Sequence, residues 1–424
     1  MKRYIDVFLI KSIPNKILSL FWSSIIIGFF LLPFGINPST PFFILSMFFG
    51  IYYILRYEKV LTPRFYNIAL ICYPIMFIIM SLSLFYSYDK VFGMKLLERS
   101  IPLFIFPLLF MYIKESSLVR KKISNALLIG ILITFLVNLL RALYNSLDIK
   151  GGVLVFNTSI VGNHSFYESF SHGGNHFIGG EFSYLLHPSY LSLYILIVLI
   201  LFFSSIAAIK KNKLIFIILI VYLFLLASRA SLVILFFLFL INLIVKWKGV
   251  TLINKIILSF SMLFLLVLNP RIGNSFERLY RFSELENYNY TTSEQSRILI
   301  ILTSLDLISK APVFGYGIGD ADYELFIKYV ESNYLTNIEF KYNAHNQFLQ
   351  TSLQIGIVGL FFLIFPFFLI YIYSQGDITK LSILLVLILT LLFESMLVRY
   401  NGIIFFAIII PFLSRFKHVK NSNE

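Results

Sequence analysis

Twelve long apolar stretches constrain the fold of this chain more than any other feature. Most contain close to the ~20 residues that an α-helix needs to cross the hydrocarbon core of a bilayer. Charged residues make up only 13% of the 424 residues, whereas soluble domains carry about 25%. Because a backbone in hydrocarbon must satisfy its own hydrogen bonds, the pattern predicts an all-α polytopic membrane protein with about 12 transmembrane helices. The apolar stretches are residues 17–35, 41–55, 66–85, 100–113, 123–141, 187–209, 214–228, 230–245, 255–269, 345–373, 380–395 and 400–414.

The distribution of lysine and arginine predicts how these segments are oriented. With a cytoplasmic N-terminus, 21 of the 35 basic residues fall at cytoplasmic ends, which leaves 14 on the other side. Seven of those 14 lie in one long loop that the positive-inside rule does not count. Both termini are therefore expected in the cytoplasm. The expected parts are five membrane helices in 1–141, a periplasmic loop at 142–186, membrane helices six to nine in 187–269, a large periplasmic loop with short helices at 270–344, and three membrane helices with a cytoplasmic tail in 345–424.

Net charge and cysteine content exclude two other classes of protein. The net charge of +14 is explained by the basic residues that orient a membrane protein, so it does not indicate nucleic-acid binding. The single cysteine, Cys72, lies in an apolar run and excludes a disulfide within the chain. The first apolar run lacks a small-residue cleavage site, so we expect it to act as an anchor and not as a cleaved signal peptide.

The SRAS sequence interrupts a long apolar stretch at Arg229. Read as one helix, the stretch between Lys213 and Lys246 would span about 48 Å, too long for a ~30 Å core. Two short helices with a turn at Arg229 fit better. Each would have only about 15 residues, so Arg229 is expected below the outer interface in a protein-lined pocket. A buried guanidinium there needs an anionic partner or several acceptors; an arginine that reaches lipid headgroups is the alternative.

The large loop contains one clear helix signal. Thr292 and Gln295 have the spacing of a capping box, and Ala311–Pro312 ends the apolar pattern, which predicts a helix over 294–309. Its apolar side chains suggest that it lies on the membrane or packs against the bundle. Arg297 is expected in its first turn, where free N–H groups and a guanidinium together would suit a phosphate or diphosphate.

The loop gives way to the next apolar run where the sequence reads NAHNQFLQTSLQIGIVGL. Asn343 is expected to cap the new helix, with His345 and Asn346 in its first turn at the membrane edge. A titratable imidazole at that place is a functional-site hypothesis, and a histidine merely tolerated at the interface is the alternative. Gly356 and Gly359 lie about one turn apart, so a neighbouring helix could approach closely there.

The expected topology brings His187, Arg229, Arg297 and His345 to one membrane face. Two or more arginines suit a dianionic diphosphate, and a neutral histidine suits removal of a proton from an attacking hydroxyl. Together they predict transfer of a group from a membrane-borne diphosphate to an alcohol, with His345, Arg229 and Arg297 as the catalytic residues. Residues expected to bind substrate at that face are His187, Tyr190, Arg99, Asn346, Glu394 and Arg399; Glu98 and Arg141 also fall there.

Three other interpretations compete with this one. Asp320 and Asp322 form a DxD pair, the usual metal handle of nucleotide-sugar transferases. His164, His172 and His176 could bind zinc, although their glycine-rich loop lacks supporting cysteine or carboxylate ligands. Charges inside the membrane could form a transport path, but the charged residues collect at one face. Because a DxD match in a polar loop is common by chance and the three histidines lack supporting ligands, we expect no metal ion and no other cofactor.

Five motifs carry a family resemblance: HPSY before an apolar segment, SRAS at a turn, EQSR at the start of the loop helix, GYGIGD, and AHNQFLQTSLQIGIVGL. Over about residues 185–415 the chain resembles the O-antigen ligase and O-antigen polymerase superfamily of bacterial membrane glycosyltransferases, although SRAS replaces the more usual Ser-Arg-Gly. The resemblance implies a GT-C-like fold and metal-independent transfer of a glycan from undecaprenyl diphosphate at the periplasmic face. It also implies that Arg229 and Arg297 bind the diphosphate, that His345 activates the acceptor hydroxyl and that His187 supports them.

The resulting hypothesis is a glycosyltransferase of the bacterial inner membrane. A ligase that uses lipid A–core as acceptor is preferred over a polymerase that uses another lipid-linked repeat unit, and transfer to protein stays open. From a different class, the alternative is a flippase or transporter of lipid-linked glycans, which should place charges along a central cavity. The expected partners are the undecaprenyl-diphosphate-linked glycan, the acceptor and the lipid bilayer, without nucleic acid.

Overall fold

The computed structural model describes residues 13–57, 65–150, 152–160, 164–165, 168–169, 174–203, 205–246, 251–267, 291–374 and 376–415. Over these residues the chain is mostly helical, which confirms the all-α class. Within the same residues, 4 helices are long and apolar enough to cross a membrane. The number of twelve membrane spans and their orientation stay predictions.

The helices and strands of the described residues follow in chain order. They are α1 Lys16–Leu31, α2 Ile36–Tyr57, α3 Phe65–Ser83, α4 Lys90–Tyr112, α5 Ser117–Asn145, β1 Leu147–Lys150, β2 Val153–Phe156, α6 Gly179–Phe182, α7 Pro188–Phe202, α8 Ile206–Lys211, α9 Lys213–Leu226, α10 Arg229–Ile241, α11 Leu252–Val267, α12 Ser293–Lys310, α13 Ala321–Glu331, α14 Leu335–Phe340, α15 Gln347–Tyr373, α16 Ile378–Phe393 and α17 Tyr400–Arg415. Strands β1 and β2 pair antiparallel in a hairpin.

The chain divides into two compact units. The first comprises residues 1–8, 23–43 and 120–284, and the second comprises residues 9–22, 44–119 and 285–424. In the first unit, α7 packs against α9 and α10. Helix α7 is buried on all sides, as expected for a helix that is apolar all round. It ends at Phe202, earlier than the predicted 209, because Ser205 caps the separate helix α8.

The turn predicted at Arg229 is confirmed. Helix α9 ends at Leu226, and Ala227 adopts a left-handed φ of +46°, a conformation that no α-helix can continue through. Helix α10 then begins at Arg229 itself. The apolar stretch is therefore two short helices, as the length of the bilayer core required.

Helix α4 in the second unit begins earlier than predicted. The apolar pattern indicated a segment over 100–113, whereas the helix starts at Lys90. The side chain of Asp89 accepts a hydrogen bond from Phe92 N–H at 2.8 Å and so caps the helix. Its first turns carry exposed charged residues, which interrupted the apolar pattern without ending the helix.

The second unit positions the large loop against α15. Helix α15 packs against α3, and α4 packs against α3 and α17. Aromatic rings fill this core; Phe110, for example, meets Phe412 edge to face with centroids 5.4 Å apart. The loop helices α12, α13 and α14 form a second apolar cluster with the start of α15, in which Leu325, Tyr329 and Leu353 are fully buried. The loop is thereby folded onto the beginning of α15.

Candidate active site

Asn346 caps helix α15, and Asn343 does not. The Asn346 side-chain oxygen accepts the N–H groups of Phe348 and Leu349, at 2.9 and 3.1 Å. The Asn343 side-chain oxygen accepts His345 N–H at 3.0 Å. The predicted cap at Asn343, with His345 and Asn346 in the first turn, is therefore wrong. Either asparagine can satisfy a nearby N–H, but His345 between them adopts a left-handed conformation, so the helix can begin only after it.

The His345 imidazole is paired with a carboxylate. Its Nδ1 lies 3.0 Å from Oε1 of Glu394, the residue that follows α16. The two side chains are only 24% and 16% exposed. A carboxylate on Nδ1 fixes the ring orientation and favours the tautomer with its proton on that nitrogen. Nε2 is then the basic nitrogen of the ring.

The His345 backbone is strained where it presents this ring. Its φ is +45°, and the left-handed region costs a residue with a side chain roughly 1–2 kcal/mol. Such strain persists only where the surrounding structure holds the residue in place, and it concentrates at functional sites. The contacts on either side of His345 must therefore supply that support.

Arg297 reaches the same helix end from the large loop. Its Nη1 donates to the carbonyl oxygen of Phe393, the last residue of α16, at 3.1 Å. A cation is favourable there because the last carbonyls of a helix lack helical partners and carry partial negative charge. The side chain is exposed, so the guanidinium can also meet an anion. Arg297 and the His345–Glu394 pair thus converge on two consecutive residues at the end of α16.

The capping box predicted at the start of α12 is confirmed. The side chains of Thr292 and Gln295 each accept the other residue's backbone N–H. Helix α12 begins at Ser293, so Arg297 is its fifth residue and lies past the first turn. The predicted combination of first-turn N–H groups with Arg297 is therefore wrong, since the box already uses the Gln295 N–H and the guanidinium points to the end of α16.

Tyr342 completes the cluster beside the imidazole. Its ring meets that of His345 edge to face, with centroids 5.1 Å apart. Burial raises the pKa of the Tyr342 phenol, and the positive charge of Arg297 partly offsets that shift. The phenol therefore stays protonated at neutral pH. Sequence reasoning missed Tyr342, whose one available signal is its position three residues before His345.

Two glutamines on α15 hold the two backbone segments that carry His345 and Glu394. Gln350 accepts Ala344 N–H at 3.1 Å, one residue before His345. Gln347 accepts Leu397 N–H at 2.7 Å, three residues after Glu394. Both glutamine side chains are buried. They lie about one helical turn apart, so a single face of α15 fixes both chain segments. Sequence reasoning did not assign either glutamine a role.

The second carboxylate of the DxD pair, Asp322, is hydrogen-bonded to one of these glutamines. Asp322 is partly buried, and its Oδ1 accepts a hydrogen bond from Gln350 Nε2 at 2.7 Å. Asp320 accepts the backbone N–H groups of Tyr88 and Asp89, at 2.6 and 2.8 Å, and so fastens the loop to the start of α4. The two carboxylates therefore bond to different parts of the protein.

Gly356 is a break in α15 that receives the GYGIG segment. Its φ is +64°, and a side chain there would collide with the Val313 carbonyl. Around the break, Tyr316 N–H donates to Leu353 O at 2.8 Å and Gly317 N–H donates to Gln354 O at 3.0 Å. The close approach predicted at Gly356 is therefore made by loop backbone and not by a neighbouring helix.

Three of the predicted site residues lie in the first unit. His187 is exposed and caps α7, with Nδ1 accepting Ser189 N–H at 3.4 Å. Tyr190 is 2% exposed, and its ring lies 6.2 Å from that of His187. Arg229 is partly buried at the first position of α10.

Other predicted residues lie apart from the contacts described so far. Arg99, on α4, and Arg399, immediately before α17, are exposed in the second unit. Of the histidines considered for zinc, His164 is exposed and His176 is partly buried, and burial lowers the pKa of His176. His172 lies outside the described residues.

Comparison with known proteins finds a family match in the second half of the chain. Residues 214–364 match the family model described as "O-Antigen ligase". That segment contains Arg229, Arg297 and His345. No curated protein matches the chain significantly. Over the segment 214–364, the match supports the resemblance of the chain to the superfamily of O-antigen ligases and polymerases that its motifs indicate.

Proposed function

We propose that this protein transfers a glycan from undecaprenyl diphosphate to a sugar hydroxyl at the periplasmic face of the bacterial inner membrane. The observation that carries the proposal is the His345–Glu394 contact of 3.0 Å beside the Arg297 guanidinium at the end of α16. A base and a cation held at one helix end suit attack by a hydroxyl and departure of a diphosphate.

In the proposed step, His345 Nε2 accepts the proton of the acceptor hydroxyl. The hydroxyl oxygen forms a bond to the anomeric carbon of the donor sugar, and the bond from that carbon to the diphosphate oxygen breaks. The electron pair leaves with undecaprenyl diphosphate, whose developing charge Arg297 stabilises. Glu394 stabilises the imidazolium that forms, so we assign it to positioning His345 and not to substrate binding.

Other predicted residues keep proposed roles of different kinds. Arg229 is proposed to bind the donor diphosphate, as the family resemblance implies, with His187 and Tyr190 in support. Arg99 and Arg399 are exposed cations of the second unit and are proposed to attract anionic substrates. We assign Asn346 to capping α15, because its side-chain oxygen already accepts two N–H groups.

The hydrogen bonds of the DxD pair favour a reaction without a bound metal. Asp320 and Asp322 each accept protein hydrogen bonds from a different element, whereas carboxylates that hold a metal ion direct their oxygens at that ion. We expect transfer by purified enzyme to survive EDTA. Loss of activity that manganese or magnesium restores would contradict this part of the proposal.

The test of the proposed function separates donor binding from chemistry. His345→Ala should retain binding of the undecaprenyl-diphosphate-linked glycan and lose ~10²–10⁴-fold in turnover, the usual cost of a missing general base. Lys310→Ala, an exposed change at the far end of α12, is the matched control and should leave both quantities unchanged. If His345→Ala abolishes donor binding while turnover per bound donor is unchanged, the imidazole binds phosphate and the base assignment fails.

The acceptor is proposed to be lipid A–core, and the same chemistry would serve a polymerase that uses a second lipid-linked repeat unit. Deleting the gene and examining lipopolysaccharide on a gel distinguishes the two. A ligase defect removes all capping glycan and leaves its lipid-linked precursor. A polymerase defect leaves core that carries single repeat units.

A further inference from the structure

Phe340 is an exposed aromatic residue held in a fixed position beside the candidate active site. It is the last residue of α14 and is 58% exposed. Its ring stacks on that of Tyr342, with centroids 5.5 Å apart and planes only 17° from parallel. Lys341 between them adopts a left-handed φ of +47°, which turns the chain so that both rings lie together. A strained turn that holds an apolar ring out of the protein core requires an explanation.

The stacked pair leads directly to the proposed base. Tyr342 stacks on Phe340 and also meets His345 edge to face, at 5.1 Å between centroids. Phe340 therefore lies within two ring contacts of the imidazole. Arg297 influences the Tyr342 phenol electrostatically, so the rings also lie beside the cation proposed for the donor. An extended ligand at His345 could thus reach the Phe340 face.

The chemistry of such a surface fits a sugar ring. The face of an aromatic ring carries partial negative charge, and the C–H groups on one face of a pyranose carry partial positive charge. The sugar hydroxyls at the ring edge can stay in water or meet polar neighbours, and Glu339 is an exposed carboxylate next to Phe340. A flat apolar ring with a polar margin therefore suits a carbohydrate better than it suits a lipid chain.

We propose that Phe340 and Tyr342 form a subsite for the acceptor glycan, in which a sugar next to the attacking one packs on the Phe340 ring. This inference rests on the proposed function, in which His345 takes a proton from the acceptor hydroxyl. The acceptor must present that hydroxyl to the imidazole, so its neighbouring sugar is the one that reaches the adjoining rings. The donor is assigned to the arginine side, because its diphosphate needs the cation.

The first experiment measures KM for each substrate with purified full-length variants. Phe340→Leu should raise KM for the acceptor roughly 3–10-fold, the range expected when one aromatic contact is lost. KM for the donor and kcat should stay near wild type. The Phe340→Trp variant, which keeps an aromatic ring, should have an acceptor KM near wild type. The control is Tyr323→Leu, which removes a ring of similar exposure, 60%, from α13 and should change none of these values.

A second measurement does not depend on transfer. In Phe340→Trp, tryptophan emission should shift when core oligosaccharide, or a free repeat-unit oligosaccharide, is added to the full chain. Wild type, with its two native tryptophans, gives the background. An emission shift without any transfer would support the subsite while the proposed function fails.

Three results would overturn the subsite. An unchanged acceptor KM in an active Phe340→Leu enzyme, together with no emission shift for either oligosaccharide, refutes it outright. A rise in donor KM alone moves the subsite to the donor glycan. If Phe340→Leu and Phe340→Trp both lose kcat and melting temperature in parallel, the ring is a structural element.

Discussion

Exchanging the donor and acceptor groups between Gln350 and Asp322 is the sharpest test of how the site is held together. Gln350 donates to Asp322 at 2.7 Å and accepts Ala344 N–H at 3.1 Å. In Gln350→Glu the bond to Ala344 can persist, but two carboxylate oxygens then face each other across the shorter contact. Adding Asp322→Asn restores a donor to that contact and returns the net charge to its original value.

The expected fall in kcat of Gln350→Glu follows from the backbone strain at His345 and from the lost hydrogen bond. Breaking one buried hydrogen bond costs ~1–3 kcal/mol, and a facing like charge adds to that. The left-handed conformation of His345 costs roughly 1–2 kcal/mol. When the Gln350 side chain no longer holds Ala344 in place, His345 can relax out of that conformation. Because each 1.36 kcal/mol is a factor of ten in rate, we expect kcat to fall ~10–100-fold in Gln350→Glu.

The assay compares turnover per folded molecule, with the melting temperature of each variant measured in the same detergent. Asp322→Asn alone keeps an oxygen that can accept from Gln350, so its kcat should stay near wild type. The double variant should recover most of the activity that Gln350→Glu loses. Gln354→Glu places a new charge one turn further along the buried face of α15 and controls for a general effect of burying a carboxylate. A double variant no more active than Gln350→Glu would refute the role of the Gln350–Asp322 hydrogen bond in holding Ala344 and His345 in place.

Three further predictions concern other parts of the site. Arg297→Lys keeps the charge but loses the planar fork, so donor use should weaken by ~2–4 kcal/mol, measured as kcat/KM for the donor; an unchanged value would exclude contact with the diphosphate. Glu394→Gln should lower kcat ~10–100-fold with little change in donor KM, the usual effect of removing a partner that orients a functional histidine; an equal loss of donor binding would make Glu394 a substrate ligand. Gly356→Ala should lower the melting temperature and the folded yield, because the new side chain meets the Val313 carbonyl; a variant as stable as wild type would contradict the tight loop contact.

Local signals in the sequence predicted the parts of the structure that depend on neighbouring residues. The capping box at Thr292 and Gln295 placed α12 within one residue at each end, since the cap forms from residues three apart. The break at Arg229 followed from the length of the bilayer core, the positions of the flanking lysines and the polar SRAS interruption. The start of α15 was misplaced because Asn343 and Asn346 are equally able to accept nearby N–H groups.

The contacts that build the site span long distances in sequence and leave no periodic signal. Glu394 was expected at the outer membrane face, but its pairing with His345 joins residues 49 positions apart. Arg297 was expected to use the N-terminus of its own helix, yet it contacts the C-terminus of α16, 96 positions away. Residue type therefore marked Glu394 and Arg297 as candidates. The partner of each side chain depends on how the loop folds onto α15.

The ionisation of Asp322 gives a final prediction about how the stability of the protein changes with pH, and burial of the carboxyl group sets the direction of that change. Burial raises the pKa of the Asp322 carboxyl above its ordinary value, and the hydrogen bond from Gln350 offsets only part of that shift. The neighbouring Tyr329 is fully buried, and the Asp322 charge helps to raise the pKa of its phenol. The folded state therefore binds the Asp322 proton more tightly than the unfolded state does.

The free-energy cost of ionised Asp322 is absent below the unfolded-state pKa of about 3.9, grows as pH rises through the folded-state pKa, and is constant above it. Asp322→Asn removes that cost and keeps an acceptor for Gln350. Its melting temperature should thus exceed that of wild type at pH 7.5, and the difference should shrink once the pH is lowered through the folded-state pKa towards 4. Glu324→Gln, a change at a more exposed carboxylate on the same helix, should show a smaller pH-dependent difference. A gain for Asp322→Asn that is equal at every pH, or that grows in acid, would show that the Asp322 carboxylate is stabilised and not penalised by its surroundings.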